Sequence, residues 1–395
     1  MALFSGITEA PRDPILGLTE AFNADPKQEK VNLAVGVYYG DNGKIPLLEC
    51  VRTAETGLAQ QPSARGYLPI DGMKAYDDAV KALVFGERVD ASRIATVQTL
   101  GGTGALKVGA DLLRQTYPDA KVLISDPSWE NHRAVFSRAG FEVETYPYYD
   151  PQARGVRFDD MLDALRATPA QTVVVLHACC HNPTGYDLTD DQWDQVVEVV
   201  KENGLVALLD MAYQGFGAGI AEDGAVIAKF AASGVDFLAA TSFSKNFSLY
   251  GERVGALSAY CADADEAKRV LSQVKVLIRT NYSNPPTHGA AVVATVLADP
   301  ELRRMWEGEL GGMRERIRSV RASLVDGLKS AGVTADVSYI TTQRGMFSYS
   351  GLSKEQMHRM RDEFGVYGTD SGRICVAAIN AGNIDQVVKA IAAVI

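Results

Sequence analysis

The sequence predicts an α/β protein: a mostly parallel sheet flanked by helices, with a smaller α+β domain beside it. Three observations carry this reading. Short apolar runs alternate with longer helical patterns through the middle of the 395-residue chain, as strands covered on both faces by crossover helices do. One long amphipathic stretch follows that alternation and suits a connector between domains. The chain length itself gives a prior of two domains, or one large domain with a smaller partner.

In chain order, residues 1–46 precede the regular alternation and are assigned to the small domain together with 316–395, leaving 47–315 as the large domain. GGTGAL (Gly101–Leu106) leads into an apolar helical run to about Leu113 and reads as a loop entering a helix N-terminus. The runs KVLIS (121–125), TVVVLHA (172–178), LVALLD (205–210), FLAATSF (237–243) and GALSAY (255–260) read as buried strands. Helical stretches Asp190–Glu202 and Glu222–Ala232 lie between them. From 302 to 328, Leu302, Met305, Trp306, Leu310, Met313, Ile317, Val320, Leu324 and Leu328 fall at steps of three and four, one face of one helix. TADVSYI, GMFSYSGL and GRICVAAI then read as strands of the small domain.

Composition narrows the function classes. Hydrophobic content of 47% and charged content of 22% are ordinary for a folded domain. A net charge of −10 repels phosphate backbones, so no nucleic-acid partner is expected. No apolar run approaches a membrane span, and the opening MALFSGITEAPRDP lacks the basic and apolar regions of a signal peptide. Five cysteines at spacings that fit neither a zinc site nor a CxxC motif point to a reducing, cytoplasmic location.

Ligands of open α/β sheets sit at the carboxyl ends of the strands. Asn182 comes shortly after one predicted strand, Asp210 ends the next and Lys245 lies just past the third. Each alone has a plain explanation: an aspartate after a strand is commonly a turn or cap, and a lone lysine is commonly solvated. Their convergence points instead to one small-molecule site.

Several strings resemble one family in the same order along nearly the whole chain: GGTGAL, HNPTG (181–185), LLDMAYQGF (208–216), SFSKNFSLYGERVG (242–255), NYSNPP (281–286) and SGR (371–373). The chain is similar to the class I pyridoxal-phosphate aminotransferases, in the aspartate/aromatic amino-acid subgroup, whose fold is type I of the pyridoxal-phosphate transferases. The resemblance implies pyridoxal 5′-phosphate as cofactor, with Lys245 as the Schiff-base lysine, since an amine can form an imine with the cofactor aldehyde and then move a proton. It implies that Asp210 pairs with the pyridine nitrogen, and that Tyr213 and Asn182 bond the ring's phenolic oxygen. Gly102, Thr103, Ser242, Ser244 and Arg253 would hold the phosphate, helped by helix-terminal amides. Trp129 would stack on the ring, with His132 and His177 in support behind Asp210. Neither histidine reads as a metal ligand, because no partners recur at ligand spacing.

The same resemblance makes Arg373 the bidentate clamp for a substrate α-carboxylate, with the Gly36 backbone beside it. Arg279 would meet a distal carboxylate and Tyr67 the phosphate, both reaching in from the neighbouring subunit, with Ser283 nearby. A homodimer with shared active sites follows. Arg279, Thr103 and Asn284 match the aspartate type. Tyr39 and Ile45 are large where strict aspartate enzymes resemble Lys and Thr, and match members that accept aromatic substrates. The expected activity is transamination of aromatic amino acids and aspartate with 2-oxoglutarate. The alternatives are a strict aspartate aminotransferase and, further off, a lyase of the same fold. A cofactor-binding regulator would need a basic helix-turn-helix module, and a nicotinamide dehydrogenase a glycine fingerprint; the sequence has neither.

Overall fold

The computed structural model describes residues 2–86 and 89–395. Its centre is a seven-stranded sheet. The strands are β1 (Ile94–Leu100), β2 (Lys121–Asp126), β3 (Glu142–Pro147), β4 (Val173–His177), β5 (Val206–Met211), β6 (Phe237–Ser242) and β7 (Val254–Tyr260). Their spatial order is β1-β7-β6-β5-β4-β2-β3. All neighbours run parallel except β7, which is antiparallel to both β1 and β6. All five predicted strands are present, and β4, β6 and β7 are buried along their whole length.

Alternation of side chains sends neighbours to opposite faces. Val174, Leu176, Ala207 and Leu209 join one core, while Val173, Val175 and Leu208 join the other. Helices Gly101–Thr116 and Ala264–Asn281 supply the second core; the first takes in Asp190–Glu202, Ala225–Ser233 and much of Pro300–Ser330.

Two strands escape the apolar-run criterion. β1 carries Thr96, whose Oγ1 lies 2.9 Å from Ser258 Oγ on β7, so its polar residues are matched across the ladder. β3 is an edge strand whose Glu142 and Glu144 flank Lys121. An edge can carry charges that a central strand cannot.

Helix Asp190–Glu202 has its predicted bounds and a capping box between Thr189 and Gln192. The expected helix 222–232 is broken at Gly224 into Ile220–Asp223 and Ala225–Ser233. Asp223 turns its carboxylate onto the amides of Gly215, Gly217 and Ala218 at the break. GGTGAL is no loop: the helix begins at Gly101, directly after β1. The long helix runs from Pro300 to Ser330, capped by Asp299 and started by Pro300. Its fully buried Trp306 donates from Nε1 to Asn246 O at 2.7 Å, gripping the loop that follows β6.

TADVSYI forms no strand. Asp336 accepts from the Ser338 amide, and Tyr339–Thr342 is a short helical turn. The β-forming side chains there are overridden by the local Asp-led turn. Phe347–Tyr349 does pair antiparallel with Arg373–Cys375, and Val31–Asn32 pairs parallel with Val366–Tyr367. Opening and closing segments therefore share hydrogen bonds, among them Cys375 N to Leu33 O and Tyr39 N to Ala377 O. Arg321, fully buried on the long helix, donates to Ile340 O, Gly345 O and Phe347 O and so fixes the strand that pairs with the one carrying Arg373. Among the described residues no helix is long and apolar enough to cross a membrane.

Candidate active site

The carboxyl ends of β4, β5 and β6 open onto a cavity of about 730 Å³. His177 and Asp210 are register partners, and Asp210 faces Ala240 on β6. Lys245 sits three positions beyond the last residue of β6. The register thus places an imidazole, a carboxylate and an amine on adjacent strand ends.

Asp210 is buried. Burial pushes its carboxyl up, but the hydrogen bond from His132 Nε2 at 2.9 Å, with nearby positive charge including Lys245, outweighs this and holds it below the usual carboxylate value. His132 Nδ1 bonds Ser128 Oγ at 2.9 Å, and Ser128 Oγ lies 3.3 Å from His177 Nε2. Burial, then the charges of His181 and His132, push His177 well below its ordinary value, so it stays neutral. The result is a hydrogen-bonded line leading from Asp210 into the protein.

Lys245 is half-buried and lines the cavity. Burial pushes its ammonium down to about 8; Asp210 opposes this, and Arg253 and Arg373 reinforce it. Its Nζ stands 5.1 Å from the centre of the Tyr213 ring. Burial raises the Tyr213 hydroxyl well above its ordinary value.

A cup forms where the helix Gly101–Thr116 starts. Arg253 has φ 54°, an uncommon conformation for a residue with a side chain. It is held there by Gly101 N donating to its carbonyl and by its own Nη1 donating to Ser244 Oγ and Tyr250 O. The approach is tight: a Cβ on Gly101 would lie 2.6 Å from Arg253 Nη2, and one on Gly255 would lie 2.4 Å from the Gly101 carbonyl carbon. Gly102, Thr103, Ser242, Ser244 and Arg253 all line the cavity at this end. Unpaired helix-terminal amides and a guanidinium together suit a dianion.

At the other end Arg373 is buried, donating from Nη1 to Asn182 Oδ1 at 2.9 Å and from Nη2 to Ala34 O at 2.7 Å. Its guanidinium lies 4.3 Å from the Phe347 ring centre, and its Nε has no partner. A Cβ on Gly36 would come within 2.6 Å of that ring, which explains a glycine there. Trp129 caps the helix Glu130–Arg138, meets His132 edge-on and lines the cavity.

Seven of the site residues named from the sequence do not line this cavity: His132, buried against Asp210, and Tyr39, Ile45, Tyr67, Arg279, Ser283 and Asn284. Tyr67 is 95% exposed and Arg279 is exposed, bonded to Ser283 Oγ. Asn284 Nδ2 donates to Leu68 O, so the segments carrying Tyr67 and Arg279 form one surface patch. Other cavity residues were not legible from the sequence: Glu130, Tyr250, Phe347 and the segment Asp13–Leu16. Glu130 could have been found as the neighbour of Trp129, whereas Asp13–Leu16 carries no local signal. Cys179, Cys180 and Asp223 also cluster, but both Asp223 oxygens already accept backbone amides.

The family model described as aminotransferase class I and II matches residues 28–391. The chain is 57% identical to the aspartate aminotransferase of Pseudomonas aeruginosa, over the full length of both. It is 51% identical to the aromatic-amino-acid aminotransferase of Escherichia coli, over 99% of this chain and 100% of that one. Among solved structures, the aromatic-amino-acid aminotransferase of Burkholderia pseudomallei, covalently bound to pyridoxal phosphate, superposes with a TM-score of 0.97 at 61% identity and full coverage of both chains. A buried carboxylate, a half-buried amine and a clamped arginine at the strand ends of such a sheet agree with that likeness, and the chain belongs to the class I and II aminotransferases.

Proposed function

We propose that this aminotransferase uses pyridoxal 5′-phosphate to move amino groups from aromatic amino acids and from aspartate to 2-oxoglutarate. The observation that carries it is the pairing of Lys245 and Asp210 on neighbouring strand ends of one cavity. The residues present fit the cofactor: a half-buried amine with a lowered proton affinity, a carboxylate kept ionised, and a cup for a dianion in which glycines leave room. When bound, pyridoxal phosphate supplies an aldehyde that takes up the substrate amine and a ring that accepts the electron pair left on its α-carbon.

The protein's part follows from its own groups. Lys245 would hold the cofactor through its amine and, when free, would take up and return the proton of the substrate α-carbon. Asp210 pairs with the ring nitrogen and favours its protonated form; His132 and His177 hold Asp210 in place. Asn182 gives its oxygen to Arg373, leaving its amide nitrogen to donate to the phenolic oxygen alongside Tyr213. Trp129 sets the tilt of the ring. Gly102, Thr103, Ser242, Ser244 and Arg253 hold the phosphate. Arg373 grips the α-carboxylate beside Gly36 through a planar fork.

Tyr67 and Arg279 act in the neighbouring subunit of a homodimer. Their exposure on one patch, with Val276 also exposed at 55%, supports this. Residues 47–315 make the large domain, and 1–46 with 316–395 the small one. Five free cysteines favour the cytoplasm. Tyr39 and Ile45 support the aromatic preference, as does likeness to relatives of both names.

The test of specificity is kcat/KM for phenylalanine and aspartate, each with 2-oxoglutarate. Both values stand well above background if the enzyme is dual. Background turnover of phenylalanine alone leaves a strict aspartate enzyme, and conversion without a 2-oxo acid acceptor indicates a lyase. A separate result concerns Lys245. An amine at about 8 is about one-tenth free at pH 7, against about one in 3,000 for an ordinary lysine. Covalent capture of pyridoxal phosphate by the apoenzyme therefore speeds up about tenfold per pH unit below 8 and levels off above it, measured by absorbance growth. A rise continuing unbroken to pH 10 would contradict this.

A further inference from the structure

Glu130 opens the helix Glu130–Arg138 and lines the cavity next to Trp129. A carboxylate in the first turn of a helix commonly faces water and gains from the helix dipole. Here one oxygen, Oε2, is turned inward, is buried and has no hydrogen-bond partner. It stands 3.8 Å from Arg373 Nη1, near enough for charge attraction and too far for a hydrogen bond. Arg373 does not depend on it for position, because Asn182 Oδ1 and Ala34 O already orient the guanidinium. A buried, unbonded carboxylate oxygen is costly, and at a site such groups call for an explanation.

We propose that Glu130 is a specificity-determining residue: a standing negative charge beside Arg373 that disfavours dicarboxylic ligands relative to monocarboxylic ones. The inference rests on the reading of Arg373 as the clamp for the substrate α-carboxylate. Once a carboxylate occupies that clamp, Glu130 faces it across the same guanidinium. Every ligand meets this first repulsion. Only a dicarboxylic ligand brings a second negative charge into the pocket, where Glu130 and Asp210 already stand. An aromatic side chain brings none. Glu130 thus tempers the preference that Arg279 of a neighbouring subunit gives to dicarboxylates, and does so by charge and not by shape.

The experiment is calorimetric titration of the holoenzyme with succinate and with 3-phenylpropanoate, in wild type, Glu130→Gln and Glu130→Asp. In Glu130→Gln both ligands bind more tightly, and succinate gains about fivefold more than 3-phenylpropanoate, as removal of a screened charge at partial burial predicts. Glu130→Asp keeps the charge and keeps the wild-type ratio of the two dissociation constants to within about twofold. A merely structural role at the helix start would move both variants and both ligands together. A ratio unchanged in Glu130→Gln overturns the proposal, and so does a ratio in Glu130→Asp that matches Glu130→Gln. Wild-type holoenzyme that binds neither ligand would remove the α-carboxylate clamp as well, which separates that failure from the failure of Glu130 alone.

Discussion

Replacing Lys245 by alanine abolishes transamination, lowering kcat by about 10⁴-fold or more, and removes the bond through which borohydride reduction would fix the cofactor to the chain. Two losses coincide in this variant. The covalent hold proposed for Lys245 goes, and so does the base proposed for the substrate α-carbon. General acid–base transfer alone is worth about 10²–10⁴-fold. Among the described residues lining the cavity, Lys245 is the one amine. Tyr213 lies against it, but burial holds its proton too firmly for it to serve as a replacement base. Phosphate contacts from Ser242, Ser244 and Arg253 would still retain the cofactor, so the variant binds it but releases it on denaturation even after borohydride treatment. Cofactor that borohydride still fixes to the chain in Lys245→Ala would remove the assignment, whatever the rate.

Asp210→Asn lowers kcat/KM by about 10³-fold, the second largest effect expected. The amide keeps the volume and can still meet His132, so the loss reports charge and not a cavity. Removing one charge from a buried pair commonly costs about 3–5 kcal/mol, or roughly 10²–10⁴ in rate where the interaction is needed in the transition state. A second signature accompanies it. Asp210 is the group that raises the Lys245 proton affinity against burial, so its neutralisation moves the pH at which Lys245 reacts further down. Steady-state kinetics with saturating cofactor, alongside a thermal melt, decide the matter. A variant within about tenfold of wild type would show that the ring nitrogen is not served by this carboxylate.

Where apolar content decides an element, the sequence is a good guide. β4 to β7 are recognisable because central strands are apolar on both faces. Asn182, Asp210 and Lys245 reach one cavity because the strand-end rule needs only strand order and direction. Partners supplied by distant segments are another matter. β1 hides because Thr96 is matched by Ser258, 162 positions away. Ser128 becomes the link between His132 and His177 only when β2 and β4 lie side by side. Tyr339 looks like a strand residue until the turn at Asp336 is seen to win. Asp13–Leu16 meets the cavity through tertiary folding alone.

The long helix has a further consequence for which changes of length the chain can survive. Near its start Trp306 grips the loop of Lys245, and fifteen residues later Arg321 grips the strand paired with that of Arg373. At about 1.5 Å per residue, that segment sets a fixed spacing of about 22 Å between the two grips. A single inserted residue there would shift one grip by about 1.5 Å and rotate it by about 100°, turning either Trp306 or Arg321 away from its target. Insertions in the exposed turn after Ser330 disturb neither. Drift in length is therefore confined to the turns, while the stretch between Trp306 and Arg321 behaves as a gauge that evolution can repaint but not recut.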